Sequence, residues 1–112
     1  MIHIEIIQEF APLFVQGVLM SLRIGLFSCI LGIFLGTISG MILAGSSKIL
    51  KFFVSVYVTI IRGTPMLIQI STTYFVLMYL GVSISAMTSA IISIGLNSGA
   101  YLSQIVLSGI KS

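Results

Sequence analysis

The chain has 112 residues, 58% of them hydrophobic and only 6% charged. So little polar surface cannot coat a soluble core of this size, and a bilayer is the solvent for most of the chain. Five Lys and Arg against two acidic residues leave a net charge of +3, but the cations stand singly at the ends of apolar runs, which encodes membrane orientation rather than nucleic-acid binding.

A crossing of about 30 Å of hydrocarbon takes roughly 20 apolar residues, so the length allows about three spans with short joints and no separate soluble domain. The expected fold class is all-α and multi-pass: three transmembrane helices, an N-terminal interfacial helix and a short helix at the cytoplasmic boundary. The single cysteine, Cys29, lies inside an apolar run and reads as a small packing residue. It excludes a disulfide framework within the chain.

Residues 1–16 carry Glu5 and Glu9 with no basic stretch before an apolar core, so they do not read as a cleaved signal. On a helix, Glu5, Gln8, Glu9 and Gln16 fall on one side and Ile6, Ile7, Phe10, Leu13 and Phe14 on the other, the pattern of a helix lying in the membrane interface. Pro12 is placed to break or kink it, and the alternation from Ile2 to Ile6 also fits a strand. His3 reads as a solvated terminal residue.

The first span is expected over residues 17–44. Two series of small residues recur there at four-residue spacing: Gly17, Ser21, Gly25, Cys29, and Ser28, Gly32, Gly36, Gly40, Ala44. Lipid tails are as apolar as leucine, so helices in a bilayer associate through close backbone approach, and such stripes permit it. Arg23 sits about two turns in, within reach of the nearer interface for its long stem.

Gly45 to Lys51 forms a turn with two lysines, which places it on the cytoplasmic side. It lacks the Gly-Lys-Ser/Thr adjacency of a phosphate-binding loop, so nucleotide hydrolysis by this chain is not expected. The next apolar run, 52–80, is interrupted by Arg62, Gly63, Thr64 and Pro65. Arg62 suits the last turn of a helix, Gly63 a left-handed cap, Thr64 an N-cap and Pro65 a first helical position. One helix is therefore expected to stop at the cytoplasmic boundary and another, 65–80, to make the second crossing. A single Pro-kinked span would instead place Arg62 at mid-membrane, against about 2.5 to 3.5 kcal/mol on translocon scales.

Gly81 to Ser85 has no Lys or Arg and reads as an outer turn. The third span, 86–110, returns to Lys111. The N-terminus is thus expected outside, with Lys48, Lys51, Arg62 and Lys111 inside. In this last run Ser93, Asn97, Gln104 and Ser108 lie within about 40° of a common direction, with Tyr101 close by. Polar groups in hydrocarbon are either interhelical bonds or the wall of a polar passage, and Gln69 invites the same two readings.

The stretch Arg62-Gly63-Thr64-Pro65-Met66-Leu67-Ile68-Gln69, preceded by Tyr57, resembles the hallmark segment of polar amino acid permease subunits of ABC importers. Gly17 with Ser21-Leu22-Arg23 and then Gly32 and Gly36 is similar to that family's first span. Asn97-Ser98-Gly99-Ala100-Tyr101-Leu102 is similar to its third segment. The resemblance implies an importer half in the cytoplasmic (inner) membrane. Two permease subunits form the pathway for an amino-acid substrate, ATP-binding subunits drive it, and an extracytoplasmic solute-binding protein delivers the cargo. Gln69, Asn97, Tyr101 and Gln104 are the candidate pathway residues, and Gly32, Gly36 and Gly40 the packing residues.

Two departures stand out. Gln104 and Leu107 occupy positions where the family commonly has Glu and Arg. The family's cytoplasmic coupling loop and two later spans would follow the position of Ser112, so the sequence reads as an incomplete importer transmembrane domain: a fragment, a relic, or one part of a split subunit. The rival reading is a small nonenzymatic membrane protein, an interaction partner or a holin-like pore former. An intramembrane enzyme is not expected: the chain has no Asp, one His and one Cys, too few groups for a metal site or an acid–base pair, and no cofactor is implied.

Overall fold

The computed structural model describes residues 2–112, which form four α-helices: α1 (Ile2–Ala44), α2 (Lys48–Arg62), α3 (Met66–Tyr79) and α4 (Ala86–Lys111). No strand occurs among the described residues, which settles the strand alternative at the N-terminus in favour of helix.

α1 is a single helix of 43 residues with Pro12 inside it. The expected interruption near Pro12 is absent, and among the described residues nothing in the backbone separates 2–16 from the span that follows. One proline removes one backbone bond, and bonds in neighbouring turns carry the helix past it. At about 1.5 Å per residue α1 is roughly 64 Å long, close to the 66 Å longest dimension of the molecule. Every side chain from His3 to Arg23 is exposed.

From Ile24 onward α1 packs along α4, and the glycines set how closely. A Cβ on Gly32 would lie 2.8 Å from the Ser98 Cβ, on Gly36 2.6 Å from Leu102, and on Gly40 2.6 Å from Val106. The second small-residue series is therefore the contact surface. Gly17 and Gly25, from the first series, have nothing within 4 Å. α4 answers with glycines of its own: a Cβ on Gly95 would meet Leu31 at 2.5 Å, and one on Gly99 would meet Leu35 at 3.0 Å. Glycine on one helix faces a side chain on the other in both directions, so the two backbones interlock.

The partners advance together along both helices, so α1 and α4 run parallel. That fixes the topology between them. The chain leaves α1 at Ala44, level with the last turn of α4, and must return to the level of Ala86 before α4 begins. Only α2 and α3 can carry it back. α3 has 14 residues, about 21 Å, which is short of a crossing by itself. α1 and α4 are each long and apolar enough to span a membrane, whereas α2 and α3 pass that test only as a pair, bent by 112° at their junction. The expected second crossing over 65–80 is thus shared: α2 covers part of the return and α3 the rest.

Inside and outside are distributed as lipid solvent requires. Among the described residues the buried apolar side chains are Val58 and Ala100, while Ser28, Ser89, Ser93 and Ser103 are all nearly inaccessible. Large side chains such as Phe14, Ile49 and Leu67 point outward. Small residues at the contacts and apolar bulk outside are what van der Waals association in hydrocarbon favours.

Candidate functional site: the elbow beside α4

The interruption between α2 and α3 is an elbow, and its chemistry differs from the expected caps. Gly63 ends α2 with φ −86° and ψ −4°, a right-handed conformation, not a left-handed one. The left-handed glycine is Gly81, φ +85°, where Gly81 N donates to Met78 O and Val82 N to Leu77 O to close α3. Thr64 does not cap α3. Its Oγ1 donates backward to Ile60 O at 2.8 Å. Pro65, extended at φ −60° and ψ 142°, is itself the N-cap, and Met66 is the first helical residue. Proline forces the residue before it out of the helical region, and the hydroxyl of that residue therefore serves the helix behind it.

The cap that the sequence reading missed comes from Gln69. Its Nε2 donates to Ile61 O at 2.7 Å and to Thr64 O at 2.9 Å; Ile61 O also accepts from Thr64 N at 3.3 Å, so the two amide hydrogens tie carbonyls on either side of Gly63 to α3. Gln69 is 8% exposed and its Oε1 has no partner among the described residues. Ser93 of α4 reaches the same corner, with its Oγ 3.0 Å from Thr73 Oγ1 and 3.3 Å from Gln69 O. Gln69, Thr64, Thr73 and Ser93 line a cleft of about 280 Å³ between α2, α3 and α4. Gln69 and Ser93 make bonds between helices and also line this cleft.

The elbow lies beside the middle of α4, not beside its end. The Tyr57 hydroxyl donates to Leu96 O at 2.5 Å and would sit 3.0 Å from a Cβ on Gly99. The Arg62 guanidinium carbon stands 5.2 Å from the centroid of the Tyr101 ring. α2 therefore starts at the Ala44 end and brings the elbow beside the middle of α4. The face of the Tyr101 ring, whose quadrupole attracts a cation, offsets part of the cost that argued for a boundary position.

Asn97 and Tyr101 share a second cleft of about 460 Å³ between α1 and α4, with Ser28, Cys29 and Ser98 also lining it. Ser28 Oγ donates across the same contact to Ile91 O at 3.4 Å. Gln104 turns to Ser103 Oγ, 3.3 Å away, and Ser108 is exposed. The four candidate pathway residues thus do not converge: Asn97 and Tyr101 face one cleft, Gln69 another, and Gln104 lines neither. Gly95, Ser89 and Ser103 are contributors that sequence reasoning passed over, and it named Tyr57 and Gly99 only within the family-like stretches. Gly95 and Gly99 repeat at the four-residue spacing already noted in α1, and that signal could have found them. Among the described residues no cluster of three His, Cys, Asp or Glu could hold a metal ion.

No protein-family model matches the chain. It is 34% identical over 112 residues to a protein of Rickettsia bellii described as a glutamine transport system permease protein, GlnP, covering 96% of this chain and 51% of that one. It is 32% identical over 105 residues to the L-cystine transport system permease protein TcyB of Bacillus subtilis, covering 94% and 45%. A crystal structure of an amino acid ABC transporter with histidines superposes with a TM-score of 0.87 at 32% identity, over 95% of this chain and 50% of that one. Along nearly its whole length the chain is similar to proteins named as amino-acid ABC transporter permeases. It spans about half the length of the curated relatives it matches. These relatives are membrane permease subunits and not enzymes. The superposition carries the parallel pair, the elbow and the return helix as one unit, since 95% of the chain takes part in it.

Proposed function

We propose that the chain forms part of the membrane-spanning wall of an ABC importer for amino acids in the cytoplasmic membrane, with its N-terminus outside. Its partners in this reading are ATP-binding subunits, a second permease subunit and an extracytoplasmic solute-binding protein. The observation that carries the reading is the 0.87 superposition on an amino acid ABC transporter across nearly the whole chain. The named cargoes of its relatives, glutamine and L-cystine, differ from one another, so they support the class of amino acids and no single member. Asn97 and Tyr101 supply the polar lining that the α1–α4 cleft offers to a solute. Gly32, Gly36 and Gly40 keep that cleft's two walls together, and the elbow holds α2 against α4.

Orientation follows from charge. Lys48 and Lys51 open α2 and Lys111 closes α4 at the same end of the molecule, while Glu5 and Glu9 lie in the first turns of α1 at the other. The test is uptake. Membrane vesicles from the source cell, with and without the gene for this chain, are loaded with ATP and offered a panel of labelled L-amino acids. Loss of ATP-dependent uptake of at least one amino acid by about tenfold is expected. Unchanged uptake across the panel would overturn the import reading.

A further inference from the structure

Two side-chain atoms among the described residues are buried without a hydrogen-bond partner, Gln69 Oε1 on α3 and Ser89 Oγ on α4. Both are sealed from the surface, so no group arriving from outside reaches either without displacing what covers it. One is an acceptor and the other a hydroxyl able to donate. Turning the Gln69 amide end for end does not help, because an oxygen would then face the Ile61 and Thr64 carbonyls. Burying polar atoms unpaired costs stability, and one such atom on each of two packed helices calls for a physical reason.

The reason lies in the register between α3 and α4. Ser93 Oγ reaches Thr73 Oγ1 at 3.0 Å and Gln69 O at 3.3 Å. Thr73 is six residues before the end of α3 and Ser93 seven after the start of α4, and the turn 80–85 joins those two ends, so the helices run antiparallel. Four residues back from Ser93 is Ser89, on the same face of α4 and 0% exposed. Four residues on from Thr73 is Leu77, which has no polar side-chain atom to offer it. A slide of α3 by one turn, about 5.4 Å, toward the start of α4 shifts every pairing by four residues. Thr73 Oγ1 and Gln69 O then stand opposite Ser89, as they now stand opposite Ser93. The Gln69 side chain takes the place of Thr73 opposite Ser93, and its Oε1 accepts from the Ser93 hydroxyl. Both orphans gain a partner in one movement.

The joints of α3 have the slack for it. The turn 80–85 reaches about 20 Å when extended, and residues 63–65 link α3 to α2 without helix. α2 holds the present register: the Gln69 amide ties α3 to Ile61 O, and the Tyr57 hydroxyl ties α2 to Leu96 O. We propose that α3 occupies two registers on α4 one helical turn apart, with Ser93 serving the present one and Ser89 the other. The slide carries Tyr79 and the turn after it away from the middle of the molecule.

The test measures the distance between spin labels at Tyr79→Cys and Ile105→Cys, both exposed positions, in a chain with Cys29→Ser. The full chain is extracted from its own membrane in polymer-bounded native nanodiscs, with its partners retained and with unlabelled copies in excess so that each pair of labels sits in one chain. The Cys29→Ser chain without added cysteines supplies the background. Pulsed electron–electron double resonance is expected to give two distances about 5 Å apart, the longer from the slid register. Tyr57→Phe, which frees α2, should raise the ratio of longer to shorter at least about threefold. On that background Ser89→Ala, which removes the second register's donor, and Leu77→Thr, which gives Ser89 a partner in the first, should each lower it at least about threefold.

A single distance in Tyr57→Phe, or a ratio there no higher than in the wild type, overturns the proposal. So does a ratio that falls by less than about threefold, or rises, in either Ser89→Ala or Leu77→Thr. Where one of those two fails to fold, the other decides. The two registers do not depend on the import reading, and they stand or fall on these distances alone.

Discussion

At Gln69 the amide nitrogen holds two carbonyls that belong to different sides of a helix break, Ile61 O and Thr64 O. Gln69→Glu keeps the shape and replaces the donor with an oxygen facing both carbonyls. Two lost hydrogen bonds in a buried corner predict a loss of about 2 kcal/mol, read as a lower midpoint in detergent-denaturant unfolding. Ser93→Ala, which removes the bonds to Thr73 Oγ1 and Gln69 O, is expected to cost less, about 0.6 to 1 kcal/mol. If Gln69→Glu unfolded at the wild-type midpoint, the Gln69 amide would not be what holds the elbow. The break itself was legible from Arg62 to Pro65, because proline and glycine between two apolar runs have few other uses. Its wiring was not, because Gly63 and Gly81 present the same local signal. What separates them lies downstream: Pro65 keeps Thr64 from the helical region, whereas Val82 is free to bond back to Leu77 O.

Among the elements, the α1–α4 contact is the one on which the rest is hung, and it depends on where glycine falls. Gly36→Val would drive a side chain into Leu102, whose Cβ is already 2.6 Å from where a Cβ on Gly36 would stand. The predicted loss is about 1 to 3 kcal/mol from overpacking. Leu102→Ala in the same chain should restore part of it, so a double-mutant cycle is expected to show a coupling of at least about 0.5 kcal/mol. Gly17→Val and Gly25→Val, with nothing within 4 Å, should leave the stability of this chain within about 0.5 kcal/mol of the wild type. Equal losses at Gly25 and Gly36 in an unfolding titration would contradict the packing. Both small-residue series had the right spacing, so spacing alone could not say which one another helix uses. The answer is held by Gly95 and Gly99, fifty and more residues later, where a second helix brings its own small residues to the same line.

For the whole molecule, the parallel course of α1 and α4 has a consequence that does not depend on knowing which side is the cytoplasm. Gly32, Gly36 and Gly40 meet Ser98, Leu102 and Val106 in order, so the end of α1 and the end of α4 emerge on one face of the membrane. The start of α1 and the turn at Gly81 emerge on the other. Single cysteines at positions 3, 46, 83 and 112, in a chain whose exposed Cys29 has been changed to serine, convert this into a labelling pattern. A membrane-impermeant maleimide applied to intact cells should mark 3 and 83 together and spare 46 and 112, and inverted vesicles should give the reverse. The side on which the first pair appears rests on the proposed cytoplasmic placement of Lys48, Lys51 and Lys111, but the pairing follows from packing alone. If 83 were marked together with 46, the α2–α3 pair would dip into the membrane and leave by the face it entered. Parallel packing of α1 against α4 would then be impossible for a chain of this connectivity, because the last helix could reach its partner only from the opposite direction.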